Sequence, residues 1–125
     1  MSDKERLKKG FKIRIYKYIL RLVKFLSSLP NMPVIREIVS QLMRSGTSIG
    51  ANYFEAQSAS SKKDYQNFFA YSSKSANESI FWIAVLRDSG LVPRVSQQEC
   101  EWLLRETKEL ANIFASSILT LKGKR

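Results

Sequence analysis

Apolar residues recur at spacings of three and four along the whole chain, and no alternation of period two persists anywhere. Phe11, Ile15, Tyr18, Leu22, Phe25 and Leu29 form one continuous stripe, which predicts a first helix from about Lys4 to Ser28. Leu29-Pro30-Asn31-Met32-Pro33 ends it, because each proline excludes helix from the residue before it. Pro33 then suits the opening of a second helix, expected to reach about Ala59 with Ile35, Ile38, Leu42, Ile49 and Tyr53 on its apolar face. Ser61 with Asp64 has the form of a capping box for a third helix, whose stripe is Tyr65, Phe69, Ser72, Ala76, Ile80 and Ile83. Gly90 stops that helix after Ser89, and Leu91-Val92-Pro93 makes the turn. Ser96 with Glu99 repeats the capping pattern and opens a fourth helix to about Leu121, with Leu103, Leu110, Phe114 and Leu121 inward and Ile113 and Ile118 beside them. Long helices joined by short connections predict an all-α fold, an antiparallel up-down-up-down four-helix bundle. With 125 residues, the span 1–125 is expected to be one domain.

Three features exceed what a plain amphipathic bundle requires. Gly46 and Gly50 lie one turn apart inside the second helix, amid Ser45, Ser48 and Ala51. Each costs about 1 kcal/mol relative to alanine in a helix interior, so a neighbouring helix is expected to approach closely there. Gln41, Arg44, Ser48, Asn52 and Glu55 share one polar stripe on the same helix. That stripe admits two readings: a hydrogen-bonded network with facing helices or a neighbouring subunit, in which a buried Arg44 needs a carboxylate such as Glu78 or Glu37, or the lining of a groove for a ligand or nucleic acid. Finally, Ile80 to Leu86 is apolar nearly all round, with Phe81 and Trp82 pointing away from the core stripe; the excess either broadens the core or buries against another subunit, and the subunit is the expectation here.

The formal net charge is +10, which points to a polyanionic partner, either nucleic acid or an anionic membrane surface. Between Met1 and Lys24 nine Lys and Arg face only Asp3 and Glu5, whereas Phe25 to Leu121 balances nine against nine. Lys122, Lys124 and Arg125 add charge at the other terminus. Arg14, Lys17, Arg21 and Lys24 align on the first helix, with Lys8, Lys9 and Lys12 before them and no acidic residue interleaved. These residues, with the tail, are the candidate nucleic-acid surface, and nearby Tyr16 is placed to stack on a base. The longest apolar run, Ile80 to Leu86, is far short of the ~20 residues of a membrane span. Met1 to Lys9 is charged and no small-residue cleavage site follows an apolar run, so a soluble cytoplasmic protein without a signal peptide is expected.

Catalysis has little to work with. There is no histidine, so the commonest general base and metal ligand is missing. The single cysteine, Cys100, supports neither an internal disulfide nor a structural zinc site, and in an amphipathic helix it reads as a small buried hydrophobe. No Glu-x-x-His pair and no glycine-rich phosphate loop occurs. A non-enzymatic protein with no catalytic residue, no metal and no cofactor is expected.

The segment QLMRSGTSIGANYFEAQSASSKKDY, followed by Lys74-Ser75-Ala76-Asn77-Glu78-Ser79 and Phe81-Trp82-Ile83, resembles the bacterial 23S rRNA intervening-sequence proteins. Gln41, Arg44, Ser48, Ile49, Ala51, Asn52, Glu55, Ser61, Asp64, Glu78 and Trp82 match the family's pattern; Tyr65 and Phe81 exchange aromatics, Ser79 replaces threonine, and Ser75-Ala76-Asn77 departs from it. The likeness covers about residues 34 to 120, with the first helix weakly matched. It implies a homopentameric ring of four-helix bundles that binds RNA, either 23S rRNA or its intervening sequence. The related accessory proteins of diversity-generating retroelements imply an alternative, a basic platform for a reverse transcriptase and its RNA. A structural or membrane-surface oligomeric adaptor is the alternative from a different class.

Overall fold

The computed structural model describes residues 1–124. Its elements are α1 (Asp3–Ser27), α2 (Pro33–Ala56), α3 (Lys62–Ser89) and α4 (Gln97–Leu121), with a 3-10 turn at Arg94–Ser96 before α4. No strand occurs among the described residues.

Local chemistry sets the helix ends. The Ser2 hydroxyl accepts from the Glu5 amide at 3.1 Å and caps α1. Pro33 opens α2 without a side-chain cap. This helix stops three residues before the expected Ala59. The amides of Gln57, Ser58 and Ala59 turn to carbonyls three residues back, at 3.2, 3.0 and 3.1 Å, which tightens the exit. Ser60 and Ser61 are then drawn into the cap of α3. The Ser61 hydroxyl accepts from the Asp64 amide at 3.0 Å, while the Asp64 carboxylate reaches back to the Ser60 amide at 3.1 Å, one residue earlier than in the standard box. Gly90 closes α3 at φ 75°, a conformation that favours glycine. The capping box expected at Ser96 and Glu99 does not form. Ser96 is held in the 3-10 turn with helical dihedrals, and the Glu99 carboxylate is engaged elsewhere.

One hydrophobic core draws on all four helices, including Ile15 and Leu22 of α1, Leu42 and Ile49 of α2, Ile83 and Leu86 of α3, and Leu103 and Leu110 of α4. At one end it becomes aromatic: Phe11 meets Tyr53 edge-on at 5.1 Å, and Phe69 meets Phe114 at 5.5 Å. The buried side chains of Ser45, Ser72, Ser79 and Thr107 are hydrogen-bonded. Thr107 donates to the Leu103 carbonyl at 2.6 Å, so its oxygen accepts from the Tyr18 hydroxyl at 2.5 Å. Ser72 donates to the Ile49 carbonyl at 2.9 Å, and Ser45 meets Ser79 at 2.9 Å.

The paired glycines sit where α1 crosses α2. A Cβ on Gly46 would run into the Leu22 side chain, and one on Gly50 would run into Ile19 and lie 3.0 Å from Ile15 Cγ2. Their cost in helix propensity is therefore offset by close contact between two helices.

Candidate nucleic-acid interface

The basic stripe of α1 divides into two kinds of residue. Arg14 and Arg21 are drawn inward by carboxylates of α4. Arg14 binds Glu106 through Nε and Nη2, each at 2.8 Å, and Glu109 at 2.8 Å. Arg21 binds Glu99 in the same two-pronged way at 2.9 and 2.6 Å, and its guanidinium lies 3.3 Å from the centre of the Trp102 ring. The hydrogen bond to Arg21 lowers the Glu99 pKa from its ordinary value, and the partner bond raises that of Arg21. These two arginines are thus structural ties between α1 and α4, contrary to the expectation of an un-neutralised stripe. Their neutralising groups lie 92 and 78 residues along the chain, where inspection of α1 alone cannot find them. Lys17 and Lys24 remain exposed, as does Tyr16.

A different basic surface emerges at one end of the molecule. The Gln66 side chain of α3 donates to the Leu121 carbonyl of α4 at 3.0 Å, and Leu7, Lys8, Tyr53, Tyr65 and Leu121 line a common cleft. The start of α1, the start of α3 and the end of α4 therefore meet there. They bring together Lys4, Lys8, Lys9 and Lys12, then Lys62 and Lys63, then Lys122 and Lys124, all exposed. Arg125 lies outside the described residues. Lys62 and Lys63 belong to the charge-balanced middle of the sequence, and only the fold places them beside the two basic termini. At the opposite end Arg87 is matched by Asp88 at 2.9 Å and by Glu101 at 3.9 Å.

The polar stripe of α2 is a surface feature of the protomer, not a buried network. Arg44 has 66% of its side chain exposed, and Glu78 has 42%; the two approach at 3.6 Å. The other bonds run along the helix itself: Arg44 to Gln41 at 2.5 Å, Ser48 to the Arg44 carbonyl at 2.6 Å, and Asn52 to the Ser48 carbonyl at 2.9 Å. Glu55 is exposed. The carboxylate expected near Arg44 is present, but the burial that would make it costly to lose is not.

Phe81 is exposed at 57%, as an outward-facing residue should be. Trp82, expected beside it on that outer face, instead packs against the core, and its buried indole Nε1 has no hydrogen-bond partner. Cys100 is buried at 1% exposure, and burial pushes its thiol up to about 11, so it stays protonated at neutral pH. Among the described residues no cluster of three His, Cys, Asp or Glu has the geometry to hold a metal, and no helix is long and apolar enough to cross a membrane.

The four helices, the small-residue crossing at Gly46 and Gly50 and the matched polar stripe coincide with a family model described as 23S rRNA-intervening sequence protein, which covers residues 12–116. The chain belongs to that family. A solved member of this fold is a protein of unknown function from the S23 ribosomal protein family of Bacteroides thetaiotaomicron VPI-5482. It is 29% identical, with a TM-score of 0.77 over 89% of this chain and 96% of that one. No curated protein matches the sequence. Family membership extends the resemblance seen in α2 and α3 back into α1, from Lys12 onward.

Proposed function

We propose that this 23S rRNA-intervening sequence family member is a non-enzymatic, RNA-binding, oligomeric protein, and that RNA binds on the lysine-rich end of the fold. The observation that carries this reading is the convergence of three separate lysine groups, Lys4–Lys12, Lys62–Lys63 and Lys122–Lys124, on one end. Like charges repel, so their convergence has no benefit for folding and fits a polyanionic ligand. Lys17 and Lys24 extend the positive field along α1, while Arg14 and Arg21 hold α1 against α4.

An antiparallel arrangement is supported by the contacts at the α1–α4 and α2–α3 seams. Arg14 pairs with Glu106 and Arg21 with Glu99; Ser45 meets Ser79 and Ile49 meets Ser72. In each case residue numbers rise on one helix as they fall on the other. A closed ring, pentameric by family resemblance, is favoured by apolar side chains left on the outside: Ile13, Tyr16, Leu20 and Val23 on α1, and Phe54, Tyr71 and Phe81 on α2 and α3.

The test is RNA binding by fluorescence anisotropy across a salt series. Log affinity is expected to fall linearly with log salt, by about 0.7–0.9 per phosphate contact. Lys62→Glu with Lys63→Glu is expected to abolish most binding without loss of fold, because acidic residues suit the first turn of α3. No binding of RNA by the wild-type protein at about 50 mM salt would overturn the reading, since electrostatic contacts are strongest there.

A further inference from the structure

The cleft at the lysine-rich end is walled by rings. Phe11, Tyr53, Tyr65 and Phe69 line it, Lys8 stands beside them, and Thr120 of α4 contributes from the other side. Its volume is about 370 Å³, within the range of small-ligand sites. Tyr65 and Phe69 lie 4.7 Å apart with planes tilted by only 30°, so Phe69 backs one face of the half-buried Tyr65 ring. Hydroxyl side chains belong to the lining, among them the exposed Thr120 and the buried Tyr53. The Thr120 hydroxyl donates to a backbone carbonyl at 3.2 Å, which leaves its lone pairs free to accept. The Tyr53 hydroxyl is pushed up to about 12 by burial, so it is a neutral donor at physiological pH.

A cleft lined by aromatic rings, hydroxyl side chains and Lys8, with Lys62, Lys63 and Lys122 close in sequence to its lining residues Tyr65 and Leu121, matches the parts of a nucleotide. The rings suit the flat face of a base, the hydroxyls its polar edge, and the lysines the phosphates on either side. A duplex offers such a surface its backbone and base edges but not the faces of its bases, because these are stacked on one another. A purely apolar occupant would satisfy the rings but would offer no counter-charge to Lys8 and the lysines near it.

We propose that this cleft receives one unstacked base of single-stranded RNA, whose neighbouring phosphates lie on Lys8, Lys62, Lys63 and Lys122. The proposal rests on the RNA-binding reading above and deepens it, by naming the form of RNA and the residues that distinguish it. The fold then engages RNA at unpaired loops or ends in preference to continuous helix.

The experiment uses a twelve-nucleotide single strand carrying one 2-aminopurine, and a duplex with the same number of phosphates. Wild-type protein is expected to quench 2-aminopurine fluorescence as the base stacks on Tyr65, and to bind the single strand about tenfold more tightly than the duplex at equal salt. Thr120→Trp fills the cleft without altering charge. It is expected to remove the quenching and the tenfold preference while leaving duplex binding unchanged. Tyr65→Leu, which shortens the aromatic wall, is expected to act in the same direction and serves if the tryptophan variant misfolds. Equal affinity for both forms with no fluorescence change, together with loss of binding in Lys62→Gln/Lys63→Gln, would overturn the base cleft and leave the electrostatic reading standing. Failure of the wild type to bind either form would overturn both. Binding to anionic lipid vesicles with no binding to the oligonucleotide would also overturn the proposal.

Discussion

Arg21 is held by three groups at once: two oxygens of Glu99 and the face of Trp102. Because the bond lowers the Glu99 pKa from its ordinary 4.5, the ionised pair stabilises the fold above that pH. The stabilisation is lost as pH falls through the lowered value. Melting temperature is therefore expected to fall with pH below about 4.5, and Glu99→Gln to flatten that slope; an equally steep slope in the variant would refute the assignment. Arg14 gives the larger contrast. Arg14→Glu sets a third carboxylate against Glu106 and Glu109, and is expected to cost about 2–3 kcal/mol, whereas Lys17→Glu stays within about 0.5 kcal/mol. Thermal melts of both variants check this. Arg44→Ala belongs with the second group, below about 1 kcal/mol, because its pair with Glu78 is exposed. The polar stripe itself was legible in the sequence, since helical spacing places Gln41, Arg44, Ser48 and Asn52 together. Its burial was not, because periodicity reveals which residues share a face and not what covers that face. The roles of Arg14 and Arg21 were hidden for a related reason: no local pattern on α1 announces the carboxylates of α4.

At the level of elements, the core stripes read from spacing carry over well. Ile15, Tyr18, Leu22 and Phe25 on α1 and Ile35, Ile38, Leu42, Ile49 and Tyr53 on α2 are all buried. Element ends were less legible, because they depend on competition for side chains. Asp64 is free to cap α3, but the same pattern at Ser96 fails where Arg21 takes Glu99. The crossing at Gly46 supplies the sharpest test of helix packing. On propensity alone Gly46→Ala should gain about 1 kcal/mol. The added methyl instead strikes the fully buried Leu22, so a net loss of about 1–3 kcal/mol is expected from overpacking. Chemical denaturation of Gly46→Ala decides the sign, and a stabilised variant would mean that α1 yields at this contact. Trp82 marks the opposite situation on α3. Its indole N–H is buried without a partner, so Trp82→Phe removes an unsatisfied donor along with some packing.

For the whole molecule, net charge and exposed apolar surface pull in opposite directions. Each copy carries +10, and the proposed assembly would bring those charges together. On α1, Ile13, Tyr16, Leu20 and Val23 fall at i, i+3, i+7 and i+10, an outward seam at heptad spacing that the inward stripe of the same helix obscures in the sequence. Phe54, Tyr71 and Phe81 are exposed on α2 and α3, away from the α1 seam, and head-to-tail closure into a ring would need apolar surface of this second kind. Leu20→Glu places a charge in the α1 seam without entering the core. It is expected to yield a monomer of unchanged helix content, measured by light scattering and circular dichroism. A monomeric wild type at micromolar concentration would overturn the ring. Charge repulsion makes the same assembly sensitive to ions. Raising salt from about 20 to 150 mM shortens the screening length to roughly 8 Å and should favour the oligomer. RNA should favour it as well at low salt, because a ligand that engages several lysine-rich ends at once binds the assembled form more tightly than single copies. Salt and RNA therefore act in the same direction on assembly, while salt weakens the binding of RNA itself. Sedimentation of the protein with and without RNA at both salt concentrations separates the two effects. RNA that left the oligomer unchanged at low salt would show that the ring and the lysine-rich ends act independently.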